Sequence, residues 1–455
     1  MTPEIMKAQN NINFTVEAGG VLKGSIRVPG DKSISHRSIM FGALAEGVTH
    51  VTGFLNGEDN LATLNAFRSM GVEITDPRDG QLDIKGVGMH GLQAPAADLD
   101  VGNSGTSIRL LSGLLSGAIA KKNFNVVLTG DSSLSTRPMK RVTDPLKLMG
   151  ALVETNAAGT PPLKIHGGKN LNGIDYLMPM ASAQVKSCLL LAGLYAKGKT
   201  CVTEPAPTRD HTERMLRGFG YTVESNNGTI CLEGGGKLIA TDIDIPADIS
   251  SATFFMVGAT IAEGSDITLE HVGINPTRIG VINILRLMGA SIEIINERDV
   301  GGEPVADIRV RSAQLKGIHI PEDQVPLAID EFPAIFVAAS CAIGETILTG
   351  AEELRVKESD RIQVMADGLT ILGVENEVTA DGIRIQGAGN GAASGSAIGS
   401  GHVESHGDHR IAMSFAMAAL VADGPISIGN CVNVATSFPS FIDLANKSGL
   451  KIKSN

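Results

Sequence analysis

The chain has 455 residues, a net charge of −11, 43% hydrophobic residues, no tryptophan and 4% aromatics. That length exceeds one ordinary core and predicts two or three domains. The acidic balance without a dense basic patch argues against a nucleic-acid partner, and the few aromatic rings argue against base or sugar stacking as the main mode of binding.

The five cysteines (Cys188, Cys201, Cys231, Cys341 and Cys431) have no C-x-x-C spacing and read as buried small side chains in a reducing compartment. The first ten residues lack a cationic start followed by an apolar core. The longest apolar runs, such as 411–422, span about a dozen residues, too few to cross a bilayer. A cytoplasmic protein with no membrane partner is the expectation.

In chain order, a first strand, Gly24-Ser25-Ile26-Arg27-Val28, ends at the hinge signal Pro29-Gly30 and is expected to pair with the C-terminal half. Asp31-Lys32-Ser33-Ile34-Ser35-His36-Arg37 then opens an apolar helix, with Asp31 or Ser33 placed to cap it. Cations beside free helix N–H groups make an anion site. Asn103-Ser104-Gly105-Thr106-Ser107 with Arg109 repeats the design as an amide- and hydroxyl-rich cradle. Arg137, Lys140 and Arg141, set among turn residues, read as a mobile clamp. Ser182-Ala183-Gln184 with Lys186 opens another helix, and Thr208-Arg209-Asp210-His211-Thr212-Glu213 looks like a capped helix start. Further on come Asp330-Glu331, the run Arg355-Val356-Lys357-Glu358-Ser359-Asp360-Arg361, and Asp408-His409-Arg410 ahead of an apolar helix.

These loops belong to a repeat. Six times a polar loop leads into a helix of small apolar residues and a Gly exit. Each time a second helix follows, ending at Gly71, Gly150, Gly220, Gly289, Gly373 or Gly449, with intervals of 79, 70, 69, 84 and 76 residues. Glycines so placed are helix C-caps. Six units suggest two halves of three, with the polar loops gathered in a cleft between them. The expected domains are residues 32–247 and 248–455, with 1–31 packed on the second.

Lys32, Arg137, Arg361 and Arg410 near helix N-termini would repel one another unless an anion joins them, so a multiply anionic ligand is expected. Asp330 and Glu358 supply carboxylates for proton transfer. No G-x-x-x-x-G-K-[ST] and no suitably placed G-x-G-x-x-G is present. His402, His406 and His409 read as a loop and helix cap rather than a metal set. The residues alone reach an enzyme acting on phosphorylated or carboxylated small molecules.

PGDKSISHR (29–37), GNSGTSIR (102–109), TRPM (136–139), SAQVKS (182–187), TRDHTE (208–213), LRVKESDR (354–361) and DHRIAM (408–413) closely resemble the 5-enolpyruvylshikimate-3-phosphate synthase family. The likeness runs from about residue 20 onward. The wording of TRPM, SAQVKS and NPTR (275–278) resembles its glyphosate-insensitive bacterial branch. The resemblance implies an α/β, two-domain enolpyruvyl transferase fold, each domain made of three repeated β/α units with buried parallel helices. It implies transfer of enolpyruvyl from phosphoenolpyruvate to the 5-hydroxyl of shikimate 3-phosphate through a tetrahedral adduct, with no metal and no organic cofactor, in a monomer. Ser33, Arg37, Ser182, Gln184 and Arg209 would hold shikimate 3-phosphate. Ala183 stands where some relatives carry serine. Lys32, Gly105, Arg137, Arg361 and Arg410 would surround phosphoenolpyruvate, with Asp59 and Asn103 nearby. Asp330, with Lys357, would take the 5-hydroxyl proton. Glu358 would donate to the methylene carbon, and Lys32 would serve the departing phosphate.

Two departures stand out. The stretch 434–439 (VATSFP) lacks the lysine many relatives have there, and Gly105 replaces the alanine of strongly insensitive relatives. Gly105 leaves room for glyphosate as an inhibitor. The alternatives are the enolpyruvyl transferase acting on UDP-N-acetylglucosamine, whose mobile-loop cysteine is missing from 130–141, and a non-catalytic binding protein for phosphorylated metabolites.

Overall fold

The computed structural model describes residues 12–389 and 397–455. The chain forms two units. One holds Gly30–Ile245 together with Asp299–Glu303. The other holds, of the described residues, those from 12 to Pro29, Pro246–Arg298 and those from Pro304 to Asn455.

The unit built on Gly30–Ile245 contains α1 (Lys32–Leu44), α2 (Glu58–Ser69), α3 (Gly105–Ala118), α4 (Lys140–Leu148), α5 (Ala183–Gly193) and α6 (His211–Gly218). The other contains α7 (Ile249–Ile261), α8 (Gly280–Leu287), α9 (Phe332–Ser340), α10 (Arg361–Ile371), α11 (His409–Ala418), the short α12 (Val434–Ser437) and α13 (Phe441–Ser448). The first helix of every repeat (α1, α3, α5, α7, α9, α11) is the small-residue one. Every residue of α7 and α9 is buried, as a helix apolar on all sides must be. The six glycines after the second helices all have positive φ, from 80° to 122°. Each closes the same pair of bonds. In the first repeat, Gly71 N donates to Arg68 O and Val72 N to Phe67 O; in the last, Gly449 N donates to Asn446 O and Leu450 N to Ala445 O. Left-handed backbone strains any residue with a Cβ, which is why the repeat is written in glycine.

The sheets repeat too. Ile243–Asp244, Val48–Thr52, Leu82–Lys85 and Glu73–Ile74 form one sheet whose first pair is parallel and whose others are antiparallel. Leu99–Asp100 and Asp175–Leu177 play the same parallel edge role in the next two. Each sheet thus borrows a strand from the preceding repeat, and the third repeat lends one back to the first. In the other unit Lys23–Ile26 runs parallel to Asp266–Gly273, so the opening strand pairs with the C-terminal half. Phe14–Val16 lies antiparallel between Ile426–Gly429 and Ile452–Ser454.

Each unit has its own apolar core. In the first, α3 lies against α5 so closely that a Cβ on Gly113 would fall 1.9 Å from Cys188 O. That approach sets the N-termini of α3 and α5 side by side. The cysteines depart from expectation. Cys188, Cys341 and Cys431 are free and buried, whereas Cys201 and Cys231 oppose each other across paired strands and are joined in a disulfide. Spacing along the chain carries no sign of a partner 30 residues away. Among the described residues no helix is long and apolar enough to cross a membrane.

Candidate active site

In the first unit three of the predicted loops sit at capped helix starts. Asp31 Oδ1 accepts from Ile34 N (2.8 Å), Ser104 Oγ from Ser107 N (3.1 Å) and Ser182 Oγ from Val185 N (3.4 Å). Asp31 rather than Ser33 is therefore the cap of α1. Lys32 opens that helix and pairs with Asp59 at 2.5 Å. Gly105 opens α3 and Ala183 opens α5, so their early N–H groups lack intrahelical acceptors. Arg137 Nη2 donates to Asn103 Oδ1 (2.6 Å), and Asn103 Nδ2 donates to Asp131 Oδ2 (2.6 Å). A Cβ on Gly105 would lie 2.8 Å from an Arg109 guanidinium nitrogen and 2.9 Å from one of Arg137. Two cations therefore converge on one helix start, the geometry of an anion cradle.

Gln184 reaches back to this cradle. Its Oε1 accepts from Arg109 Nη1 (2.7 Å) and its Nε2 donates to Thr106 Oγ1 (3.1 Å). Arg209 is half-buried, just ahead of α6. The start of α6 is not the capped one expected: Asp210 makes no side-chain cap and instead takes Arg214 Nε at 2.8 Å.

Two cations of the motifs face inward. Arg37 is 3% exposed; it donates to Ser33 O (2.9 Å), Thr212 Oγ1 (2.7 Å) and Ser187 Oγ (3.0 Å), and burial pushes its guanidinium down to about 10. Lys186 is buried between Glu204 (2.8 Å) and Glu213 (2.7 Å). It ties the start of α5 to α6 and to the strand end before it.

In the second unit Arg361, the first residue of α10 and 1% exposed, is the hub. It donates through Nη1 to Asp330 Oδ1 (3.2 Å), through Nη2 to Glu358 Oε2 (2.6 Å) and through Nε to Asp408 Oδ2 (2.8 Å). Burial alone would lower its affinity for the proton; Glu358, Asp408 and Asp330 outweigh burial and raise it. Burial would raise the Glu358 carboxyl, but Arg361 and then His409 hold it well below the usual range. With its side chain 40% exposed, water screens part of that attraction. Lys357 reaches Glu353 (2.6 Å) and lies 3.7 Å from Asp330. Arg410 Nη1 donates to Asp330 O (3.0 Å).

Sequence reasoning missed the supports behind Asp330. Arg278, of the NPTR motif, is buried; it donates to Ser250 Oγ (2.6 Å) and lies 3.4 Å from Asp248 and 3.5 Å from Glu331. Ser250 Oγ also bonds Glu331. The signal available was Glu331 itself, a second carboxylate beside Asp330. Among the described residues no group of His, Cys, Asp and Glu side chains has the makings of a metal site.

Comparisons with known proteins give the family. The sequence model of the EPSP synthase (3-phosphoshikimate 1-carboxyvinyltransferase) family matches residues 16–444. The 3-phosphoshikimate 1-carboxyvinyltransferase of Methylococcus capsulatus is 66% identical over 443 residues, covering 97% of this chain and 99% of the relative. That of Nitrosococcus oceani is 64% identical over 453 residues, covering 100% of this chain and 99% of the relative. The EPSP synthase structure from Acinetobacter baumannii superposes with a TM-score of 0.90 at 61% identity, over 98% of this chain and all of that one. The enolpyruvyl transferase NikO from Streptomyces tendae shares the fold at 17% identity and a TM-score of 0.78. With a family model spanning residues 16–444 and relatives above 60% identity over nearly the whole chain, the chain belongs to the EPSP synthase family.

Proposed function

We propose a division of labour between the two sets of residues for the family's reaction. That reaction moves the enolpyruvyl group of phosphoenolpyruvate to the 5-hydroxyl of shikimate 3-phosphate and releases phosphate. The reading as a UDP-N-acetylglucosamine transferase has no support among these relatives.

The observation that carries the proposal is the segregation of charge. Among the described residues, Arg37, Arg109 and Arg137 in the first unit hydrogen-bond to neutral acceptors, and Arg37 feels Glu213 and Asp31 only at longer range. In the second unit Arg361 alone meets three carboxylates. The first set is short of negative charge and the second is rich in proton carriers. Anionic substrates supply what the first lacks, and the second supplies acid and base.

In this reading Ser182, Ala183 N–H, Gln184, Ser33 and Arg209 hold shikimate 3-phosphate, and Arg37 braces Ser33 from within. Lys32, Asn103, Gly105 and Arg137 take the phosphate end of phosphoenolpyruvate, with Asp59 orienting Lys32. Arg361 and Arg410 take its carboxylate. The 5-hydroxyl oxygen attacks C2 of phosphoenolpyruvate while Asp330, beside Lys357, accepts the hydroxyl proton and C3 gains one. Phosphate then leaves with the C2–O bond, neutralised by Lys32, and C3 gives its proton back. Glu358 accepts from Arg361 Nη2, which holds its carboxyl below the usual range. A substrate carboxylate competing for Arg361 releases Glu358 to take up the proton it then delivers to C3. Gly105 leaves space for glyphosate in place of phosphoenolpyruvate.

The test is phosphate release from phosphoenolpyruvate, with the organic product identified by mass, in Asp330→Asn and Glu358→Gln. Each is expected to bind shikimate 3-phosphate normally and to lose about 10²–10⁴-fold in kcat. Wild-type kcat in either variant rejects its role as a proton carrier.

A further inference from the structure

At the opposite end of α3 and α5 from their polar starts lies a cavity of about 70 Å³, to which all three repeats of the first unit contribute. Fourteen residues of α3 at about 1.5 Å each put it about 20 Å from Gly105. Met89, Ala120 and Leu194 give it apolar walls, and His90 and Lys121 are its exposed polar side chains. Glycines make room there for two of the chain's three tyrosines. A Cβ on Gly117 would fall 2.3 Å from the Tyr195 ring, and one on Gly236 would fall 2.7 Å from the Tyr221 ring. The two phenols differ in their partners. Tyr221 Oη donates to Glu233 O (2.6 Å) and accepts from Gly236 N (3.2 Å). Tyr195 Oη is buried and has no hydrogen-bond partner among the described residues. Burial, then Tyr221, push its hydroxyl above the usual phenol range, so it is a donor that lacks an acceptor. Burying such a group unpaired is costly.

We propose that this cavity is a second binding site, for a small carboxylate with a short apolar body. The lining side chains able to form strong hydrogen bonds are Tyr195, His90 and Lys121, and all three can donate. Among the described residues no carboxylate lines the cavity. The nearby backbone acceptors are taken: Gly117 O accepts from Ala120 N (3.0 Å) and Leu194 O from Gly235 N (2.8 Å). What the site lacks is an acceptor, and Lys121 favours a charged one. The ends of α3 and α5 carry partial negative charge, which opposes an anion; those two bonds offset part of it, and the Lys121 ammonium brings a whole positive charge. The carboxylate accepts from the Tyr195 hydroxyl and pairs with Lys121, while its apolar body lies against Met89, Ala120 and Leu194. One water needs about 10–15 Å³ of such space, so the cavity has room for several heavy atoms.

The experiment is an NMR titration of the full-length protein, labelled with carbon-13 in its tyrosine rings, by sodium butyrate at constant ionic strength. The chain has three tyrosines, and Tyr176→Phe, Tyr195→Phe and Tyr221→Phe assign their signals. Butyrate is expected to shift the Tyr195 signals saturably, with half-saturation at about 1–10 mM, while those of Tyr176 stay in place. Butyramide has the same shape without the charge and should bind at least about five-fold more weakly. Lys121→Gln should weaken butyrate by at least about five-fold, and so should Tyr195→Phe, followed through Tyr221. Neither residue lies in the substrate loops, so kcat should not change in either variant, and thermal melts confirm that both are folded. A Tyr195 shift that grows linearly with butyrate, or that sodium chloride reproduces, means a cavity that holds water only and overturns the proposal. Equal affinity for butyramide overturns the carboxylate as the ligand class. Wild-type affinity in both variants overturns the site.

Discussion

Gly105→Ala tests the cradle most directly. Gly105 is the first residue of α3 and does not have a positive φ, so alanine brings no backbone strain and slightly favours the helix. The new methyl carbon, however, would sit 2.8 Å from Arg109 and 2.9 Å from Arg137. An ordinary contact is about 3.5 Å, so both guanidinium groups must retreat by about 0.6–0.7 Å. Both are ends of flexible side chains, and the fold absorbs the shift. The ligand does not. A hydrogen bond to a charged group contributes about 1.5–3 kcal/mol. Stretching the one from Arg137 without breaking it should forfeit about 1 kcal/mol, which is about a five-fold rise in KM for phosphoenolpyruvate. Steady-state kinetics with each substrate varied in turn is the assay. KM for shikimate 3-phosphate should hardly move, the melting temperature should be unchanged or higher, and glyphosate, the longer ligand, should lose more affinity than phosphoenolpyruvate. An unchanged KM for phosphoenolpyruvate in a folded variant would refute placing that substrate against Gly105.

Lys186→Met leaves Glu204 and Glu213 facing each other, with side chains 6% and 2% exposed, and no cation between them. Breaking such a buried cluster costs about 3–5 kcal/mol, or a fall of about 6–20 °C in melting temperature; adding Glu213→Gln should recover part of it. His36 is fully buried, with Nδ1 2.9 Å from Thr63 Oγ1, and burial lowers it from 6.5 to about 3. The unfolded chain takes up this proton near pH 6.5 and the folded chain refuses it until about pH 3. Stability therefore falls as pH drops through that window, by up to about 1.4 kcal/mol per pH unit from this group. Denaturant melts of His36→Gln should show a shallower decline between those limits, and an unchanged slope would count against His36.

Much of this was legible in the sequence because local rules carry it. Six glycines that need left-handed backbone, and six helices too apolar to have a wet face, declare the repeat without reference to anything distant. Cations written beside helix starts declare the anion loops. What stayed hidden is where a charge points and what it meets. Arg37 and Lys186 sit inside motifs that read as ligand loops, yet both face the interior, with partners that include Thr212 and Glu204. Helix phase decides this, and a lone basic residue does not reveal it. Glu303 is likewise invisible until a hairpin carries it 2.8 Å from His211. The bond between Cys201 and Cys231 depends on strand register, which the spacing of cysteines does not encode.

The strand Phe14–Val16 has a consequence for how the chain is made. It is synthesised long before both neighbours it pairs with, Ile426–Gly429 and Ile452–Ser454. Until those two strands are made, both of its edges lack their partners. The unit built on Gly30–Ile245 has its sheets complete far earlier, so it is the natural first folder, while the other unit waits for the stretch that carries Ile426–Gly429 and Ile452–Ser454. A product truncated near residue 420 therefore leaves Phe14–Val16 without either neighbour.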